Sequence, residues 1–252
     1  MPDEITNWLM VFLRASAMLS IFPIFSAANF PVQLRLALGA LLSVLVAATL
    51  PSPPLAPDIW GLVGQMAWEV GAGLILGFAT KMVFYMLEIA GSIISIEMGL
   101  AMPAGVLPTM ENPSQAPGAV LYYLGAMLWL GLDMHHWMLV AFQKTYQYLP
   151  IGSAHFSGPV LTDMVTRTSQ LFYVALQLAA PLMAVSFIIL MVFSAVGRAV
   201  PQMNVFSESL SIRPLVGLSV FGLCLQLMSQ HIINYMRRLP EDMLHVAQLL
   251  KG

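Results

Sequence analysis

Charge is what this sequence has least of. Ten basic and 12 acidic residues are spread over 252 positions, 9% of the chain, where a soluble domain carries about 25%. So few ionised groups cannot cover a water-facing surface, and the 59% hydrophobic content and mean hydropathy of +0.82 agree. The chain reads as an integral membrane protein. With a net charge of −2 and no Lys/Arg stripe to neutralise phosphates, a nucleic-acid binder is excluded. Cysteine is nearly absent: Cys224 stands alone in an apolar run, which excludes a disulfide framework and a thiolate metal site and leaves it as a small buried hydrophobe. No nucleophile–base signature is present. The glycine-rich stretch is apolar and helical with no strand before it, so it is not a dinucleotide site. These absences argue against an enzyme and against a cofactor. The chain opens Met1-Pro2-Asp3-Glu4 with no basic residue before Arg14, so the first apolar run is expected to be a retained helix and not a signal peptide.

What is present is a series of apolar runs punctuated by proline, glycine and charge. They predict an all-α, polytopic membrane fold of about six long hydrophobic helices, some broken, built of hairpins and forming one domain over residues 1–252. Residues 5–22 are apolar apart from Asn7 and Arg14 and stop at Phe22-Pro23, since a residue before proline is pushed out of the helical region. The following helices are expected at about 34–50, 59–101, 120–141, 168–197 and 214–236, with an amphipathic tail at 237–252. Residues 143–163 and 198–213 read as polar connections. The uncharged run 168–197 would extend about 45 Å as a helix, longer than the ~30 Å core, so it must tilt, kink at Pro181 or project. Basic residues do not segregate to alternate connections, so they fix no orientation.

Several residues stand out. Gly73 and Gly77, and Gly91, Ser95 and Gly99, each make a smooth helix face on which another backbone can seat, within this chain or on a neighbouring subunit. Glu69, Lys81, Glu88 and Glu97 are ionisable groups within apolar sequence and need polar partners or a water-filled path. Residues 102–117 hold four prolines, Pro103, Pro108, Pro113 and Pro117, so no helix is expected there; the apolar Met102, Val106, Leu107 and Met110 place this loop against protein or a cavity. Asp133, His135 and His136 invite a metal reading. However, adjacent helical residues point about 100° apart and a helical pair of ligands needs i, i+4 spacing, so no metal is expected and interfacial anchoring beside Trp137 is preferred. The 19 methionines serve mostly as gap-fillers, with Met98 beside the proline-rich loop.

Four segments share a pattern. Phe30-Pro31-Val32-Gln33-Leu34-Arg35-Leu36-Ala37-Leu38-Gly39, Gly91-Ser92-Ile93-Ile94-Ser95-Ile96-Glu97-Met98-Gly99-Leu100, His135-His136-Trp137 followed by Leu149-Pro150-Ile151-Gly152, and Pro201-Gln202-Met203-Asn204-Val205-Phe206 occur in that order. In these the chain resembles the FliR family of flagellar export-apparatus membrane proteins, homologous to the SctT proteins of virulence secretion, and the last motif favours the flagellar branch. Asp133-Met134 departs from the usual Asn/Asp-Gly before the histidines, and Ser207-Glu208-Ser209 is more polar than the family's link.

The resemblance implies a subunit of a type III protein export gate in the bacterial inner membrane and flagellar basal body. It would assemble with FliP and FliQ, contact FlhB and pass unfolded flagellar subunits, with residues 102–117 as pore plug and helices standing largely above the membrane plane. The rival reading is a secondary transporter or ion channel using Glu69, Lys81, Glu88 and Glu97.

Overall fold

The computed structural model describes residues 2–26, 30–51, 58–100, 116–155, 158–200, 202 and 204–251. Among these residues it is all-α, as the hydropathy predicts: α1 (Pro2–Ile21), α2 (Val32–Ala47), α3 (Ile59–Glu97), α4 (Ala116–Gly131), α5 (Met134–Tyr148), α6 (Gly158–Ala199), α7 (Val205–Met236) and α8 (Leu239–Leu249). Three stretches, Ile59–Glu97, Gly158–Ala199 and Ser211–Leu249, are long and apolar enough to cross a membrane, and the chain is an integral membrane protein.

Several boundaries differ from expectation, each for a local reason. The expected polar connection 143–163 is largely helical, because α5 runs on to Tyr148 and α6 begins at Gly158 and not at 168, with Pro159 in its first turn, where a missing N–H costs nothing. The run 120–141 is two helices, because α4 stops at Gly131 and Asp133 takes φ of 54°, a left-handed conformation that aspartate tolerates better than most residues. Hydrophobic periodicity does not register such a break. Pro117 lies in the first turn of α4 and not in a loop, where its missing N–H costs nothing because first-turn donors have no intrahelical partner. The polar segment before residue 214 is partly helical. α7 begins at Val205, the Glu208 N–H reaches the Asn204 carbonyl at 3.1 Å, and an acidic residue in the first turn suits the helix dipole. Cys224 is half-buried, not fully enclosed.

The described residues group into two compact units. The first comprises Met1–Val83, Trp129–Thr168 and Tyr235–Gly252. In it α1 buries one stripe, Asn7, Met10, Val11, Arg14, Ala15 and Met18, at the three- and four-residue spacing of a single helix face. Each large apolar side chain so buried contributes about 1.5–3 kcal/mol. α2 rests on α1, and a Cβ at Gly39 would lie 3.5 Å from Ser16. The amphipathic tail is α8, whose Leu239, Met243, Val246 and Ala247 are buried; the helix lies against α5. Arg167 ties the start of α6 to α8, with Nε 2.6 Å from Asp163 and Nη1 2.7 Å from Asp242.

The second unit comprises Phe84–Leu128 and Ser169–Asn234. α3 meets α4 through an edge-on contact of Phe84 and Tyr122, 5.4 Å between ring centres, and through a close backbone approach at Gly91. Along α6 and α7, Phe172, Phe187, Ile188, Leu215 and Leu223 are exposed among the described residues, and such apolar faces suit lipid or other protein.

Candidate functional site

The polar centre of the first unit is built on two helix faces. On α3, Glu69, Gly73 and Gly77 recur every four residues and face α1. A Cβ at Gly73 would lie 2.3 Å from the Arg14 carbonyl oxygen and one at Gly77 2.7 Å from that of Met18, so only glycine lets the two backbones meet there. That approach brings the Arg14 side chain, fully buried on the α1 stripe, to Glu69 one turn earlier. Arg14 Nε donates to Glu69 Oε2 at 2.6 Å and Nη2 donates to Oε1 at 3.0 Å, a two-pronged pair with neither side chain exposed.

The segment after α5 completes the cluster. The Leu149 carbonyl accepts from Arg14 Nη1 at 3.0 Å, and the Gly152 N–H donates to Glu69 Oε1 at 2.8 Å. Gly152 has φ of 76°, which favours glycine, and a Cβ there would sit 2.9 Å from Gln65 Nε2. The Leu149-Pro150-Ile151-Gly152 motif is thus a backbone clamp on a buried ion pair. The Arg14 guanidinium also lies 4.1 Å from the centre of the Tyr146 ring. Burial holds the Tyr146 phenol above its ordinary range, and its oxygen has no hydrogen-bond partner among the described residues.

Of the four ionisable residues singled out on α3, only Glu69 is buried in this chain. Lys81 and Glu97 are half-buried, and Glu88 is exposed. Both Glu69 oxygens are engaged as acceptors, which suits a fixed strut. Arg14 was the functional partner that sequence reasoning missed. Its signal was visible: it is the only charge in the run 5–22, and a lone charge on an apolar face requires an opposite one.

The histidines converge more than helix geometry alone predicts. Because Asp133 sits in the left-handed region just before α5, its Oδ1 lies 3.9 Å from His135 Nε2 and 3.6 Å from His136 Nδ1, and the two rings are 4.1 Å apart. The expectation that adjacent histidines must diverge is therefore corrected. One ligand atom from each of the three residues lies within 4.8 Å of the others, against about 3.4 Å between neighbouring ligands around a tetrahedral zinc. Asp133 is 72% exposed and His136 68%, and no fourth protein donor joins them among the described residues. The His135 ring also neighbours that of Trp129, 5.7 Å between ring centres.

In the second unit, the other small-residue face is occupied by this chain as well. A Cβ at Gly91 would lie 2.1 Å from Gly118 Cα, so α4 starts directly on α3. Ser95 is buried and donates to the Gly91 carbonyl at 2.8 Å. Gly99 is not on a helix face. It has φ of 70° and ends α3: its N–H reaches the Ile96 carbonyl at 3.0 Å, and the Leu100 N–H reaches that of Ser95 at 2.9 Å, the paired bonds of a glycine-terminated helix. Gly73, Gly77 and Gly91 thus seat helices of this chain on one another. Met98 is buried and fills the notch at Gly217, where a Cβ would meet its Cγ at 2.6 Å.

Met102, Pro103, Val106, Leu107, Pro108, Met110 and Pro113 lie outside the described residues, as do Pro201 and Met203. Gln202 and Asn204 are exposed, and Phe206 is helical, in the first turn of α7.

Long apolar helices, with a buried ion pair and close glycine contacts between them, define an all-α integral membrane protein. The chain belongs to the family described as bacterial export proteins, family 1, which matches residues 5–239. It is similar to the flagellar biosynthetic protein FliR of Caulobacter vibrioides, 29% identical over 218 residues, covering 86% of this chain and 87% of that protein. FliR of Bacillus subtilis is 26% identical over 252 residues, 98% of this chain and 97% of the relative. FliR of Escherichia coli K12 is 23% identical, with 98% of each chain covered. The resemblance read from the four motifs is borne out.

Proposed function

We propose that this protein is a non-enzymatic subunit of the bacterial flagellar type III export gate. In this reading it assembles with FliP and FliQ in the inner membrane at the flagellar basal body, contacts FlhB and passes unfolded flagellar subunits. The family match over residues 5–239 carries the proposal. Two structural features support it. The glycine faces are occupied within the chain, so subunit contacts fall on the exposed apolar faces of α6 and α7, including Phe172, Phe187 and Leu215. Segment 102–117, as the pore plug, would start just after the glycine-terminated end of α3 and return at an α4 whose first turn rests on Gly91. A plug moves between states while its base must stay fixed, and both flanks are firmly tied.

Co-expression with FliP and FliQ followed by native mass spectrometry in detergent tests the assembly. The expected result is a complex holding several copies of small membrane partners; a monomer that transports solute by itself would favour the secondary-transporter alternative. For the plug, deletion of residues 102–117 should raise the ion conductance of the reconstituted complex, and unchanged conductance refutes that assignment.

A further inference from the structure

Between α5 and α8 lies a pocket of about 580 Å³, within the ~300–1,000 Å³ range of small-molecule sites. Its α5 side is one helix face, Trp137, Val140, Ala141 and Lys144, at three- and four-residue spacing. α8 and the residues before it supply Arg237, Glu241 and Leu244. The site is amphipathic: apolar surface from Trp137, Val140 and Leu244 adjoins two cations. Lys144 and Arg237 are exposed, and neither forms an ion pair among the described residues, whereas Arg14 and Arg167 are each held by carboxylates. Trp137 is 59% exposed, and Arg237 follows directly on the end of α7. An exposed tryptophan and a basic residue at the end of an apolar helix are what the headgroup level of a bilayer selects.

We propose that this pocket is a binding site for an anionic phospholipid. The phosphate would sit between Lys144 and Arg237, and the glycerol and upper acyl chain would run along Trp137, Val140 and Leu244. A free phosphate would match the cations and leave the apolar wall wet. A purely apolar ligand would do the reverse, and only an amphiphile satisfies both. Glu241 disfavours a dianionic headgroup and can accept a hydrogen bond from a headgroup hydroxyl, so phosphatidylglycerol fits best. The inference is independent of the export-gate reading, because it concerns one chain and a lipid.

Native mass spectrometry of the full chain, with whatever partners co-purify, titrated with phosphatidylglycerol at fixed detergent concentration provides the test. A juxtamembrane cation is worth about fivefold in affinity for anionic lipid, so Lys144→Gln with Arg237→Gln should weaken binding about thirtyfold. Lys251→Gln, an exposed charge outside the pocket, should leave it unchanged. Phosphatidylcholine should bind the wild-type chain no better than phosphatidylglycerol binds the double variant. Equal binding of both lipids, an undiminished affinity in the double variant, or displacement of the lipid by millimolar inorganic phosphate would each overturn the proposal. Lys144 and Arg237 are exposed, so the variants retain the fold, and a thermal-melting trace matching wild type checks this.

Discussion

Arg14→Met probes the centre of the first unit most directly. The substitution removes the Arg14 donors to both Glu69 oxygens and leaves the carboxylate, wholly buried, with the Gly152 N–H as its remaining donor among the described residues. Stranding one member of a buried pair costs about 3–5 kcal/mol, and at about 2–4 °C per kcal/mol for a chain of this size the melting temperature should fall by roughly 6–20 °C. Glu69→Leu strands the guanidinium and should cost a similar amount. The double variant, Arg14→Met with Glu69→Leu, removes both charges, keeps apolar volume and leaves the Gly73 contact intact, since that contact is to the Arg14 backbone. It should lie within about 2 kcal/mol of wild type and above either single variant, because replacing a whole buried pair by apolar groups is often neutral. Fluorescence-monitored melting of the four proteins in one detergent gives the coupling energy directly. If the two single losses simply add, the pair is not the strut described here.

Three further outcomes follow from local geometry. Gly91→Ala should destabilise by about 1–3 kcal/mol, because its Cβ would fall on Gly118 backbone, while Gly118→Ala, whose nearest neighbour would be 3.7 Å away, should be near neutral; equal melting temperatures would contradict the asymmetry. At Asp133, valine should cost about 1–2 kcal/mol through the left-handed backbone and glycine under about 0.5 kcal/mol, read in the same melting assay. Tyr146→Phe removes a buried hydroxyl that has no partner while keeping the ring under Arg14, so it should match or exceed wild type, by up to about 1 kcal/mol, whereas Tyr146→Ala should lose about 3–5 kcal/mol in thermal stability.

Much of the fold was legible in the sequence because its signals are local. Apolar runs marked the helices, and α8 was visible as an amphipathic tail. The glycine spacing at Gly73 and Gly77 correctly announced a close helix approach, but spacing cannot say which backbone fills it, and α1 does. The break at Asp133 was missed because one left-handed residue leaves no trace in hydrophobic periodicity, and the same residue is what turns His135 and His136 toward a shared carboxylate. The Arg14 and Glu69 pair was half legible. Each charge was conspicuous in its own apolar run, but 55 residues separate them, and only the fold brings them together.

The scarcity of charge acquires a spatial sense from these placements. Arg14 and Glu69 lie wholly inside the first unit, and Arg167 lies between two aspartates that join α6 to α8. A few charges fix helices to one another, while others, such as Lys144, Arg198 and Glu208, are exposed. The exposed faces of α6 and α7 are left to residues such as Phe187 and Leu223, which suit lipid or a neighbouring helix. Directional bonds between Arg14 and Glu69, together with the backbone contacts at Gly73 and Gly77, tie α1 to α3 in a segment where surface charge is sparse.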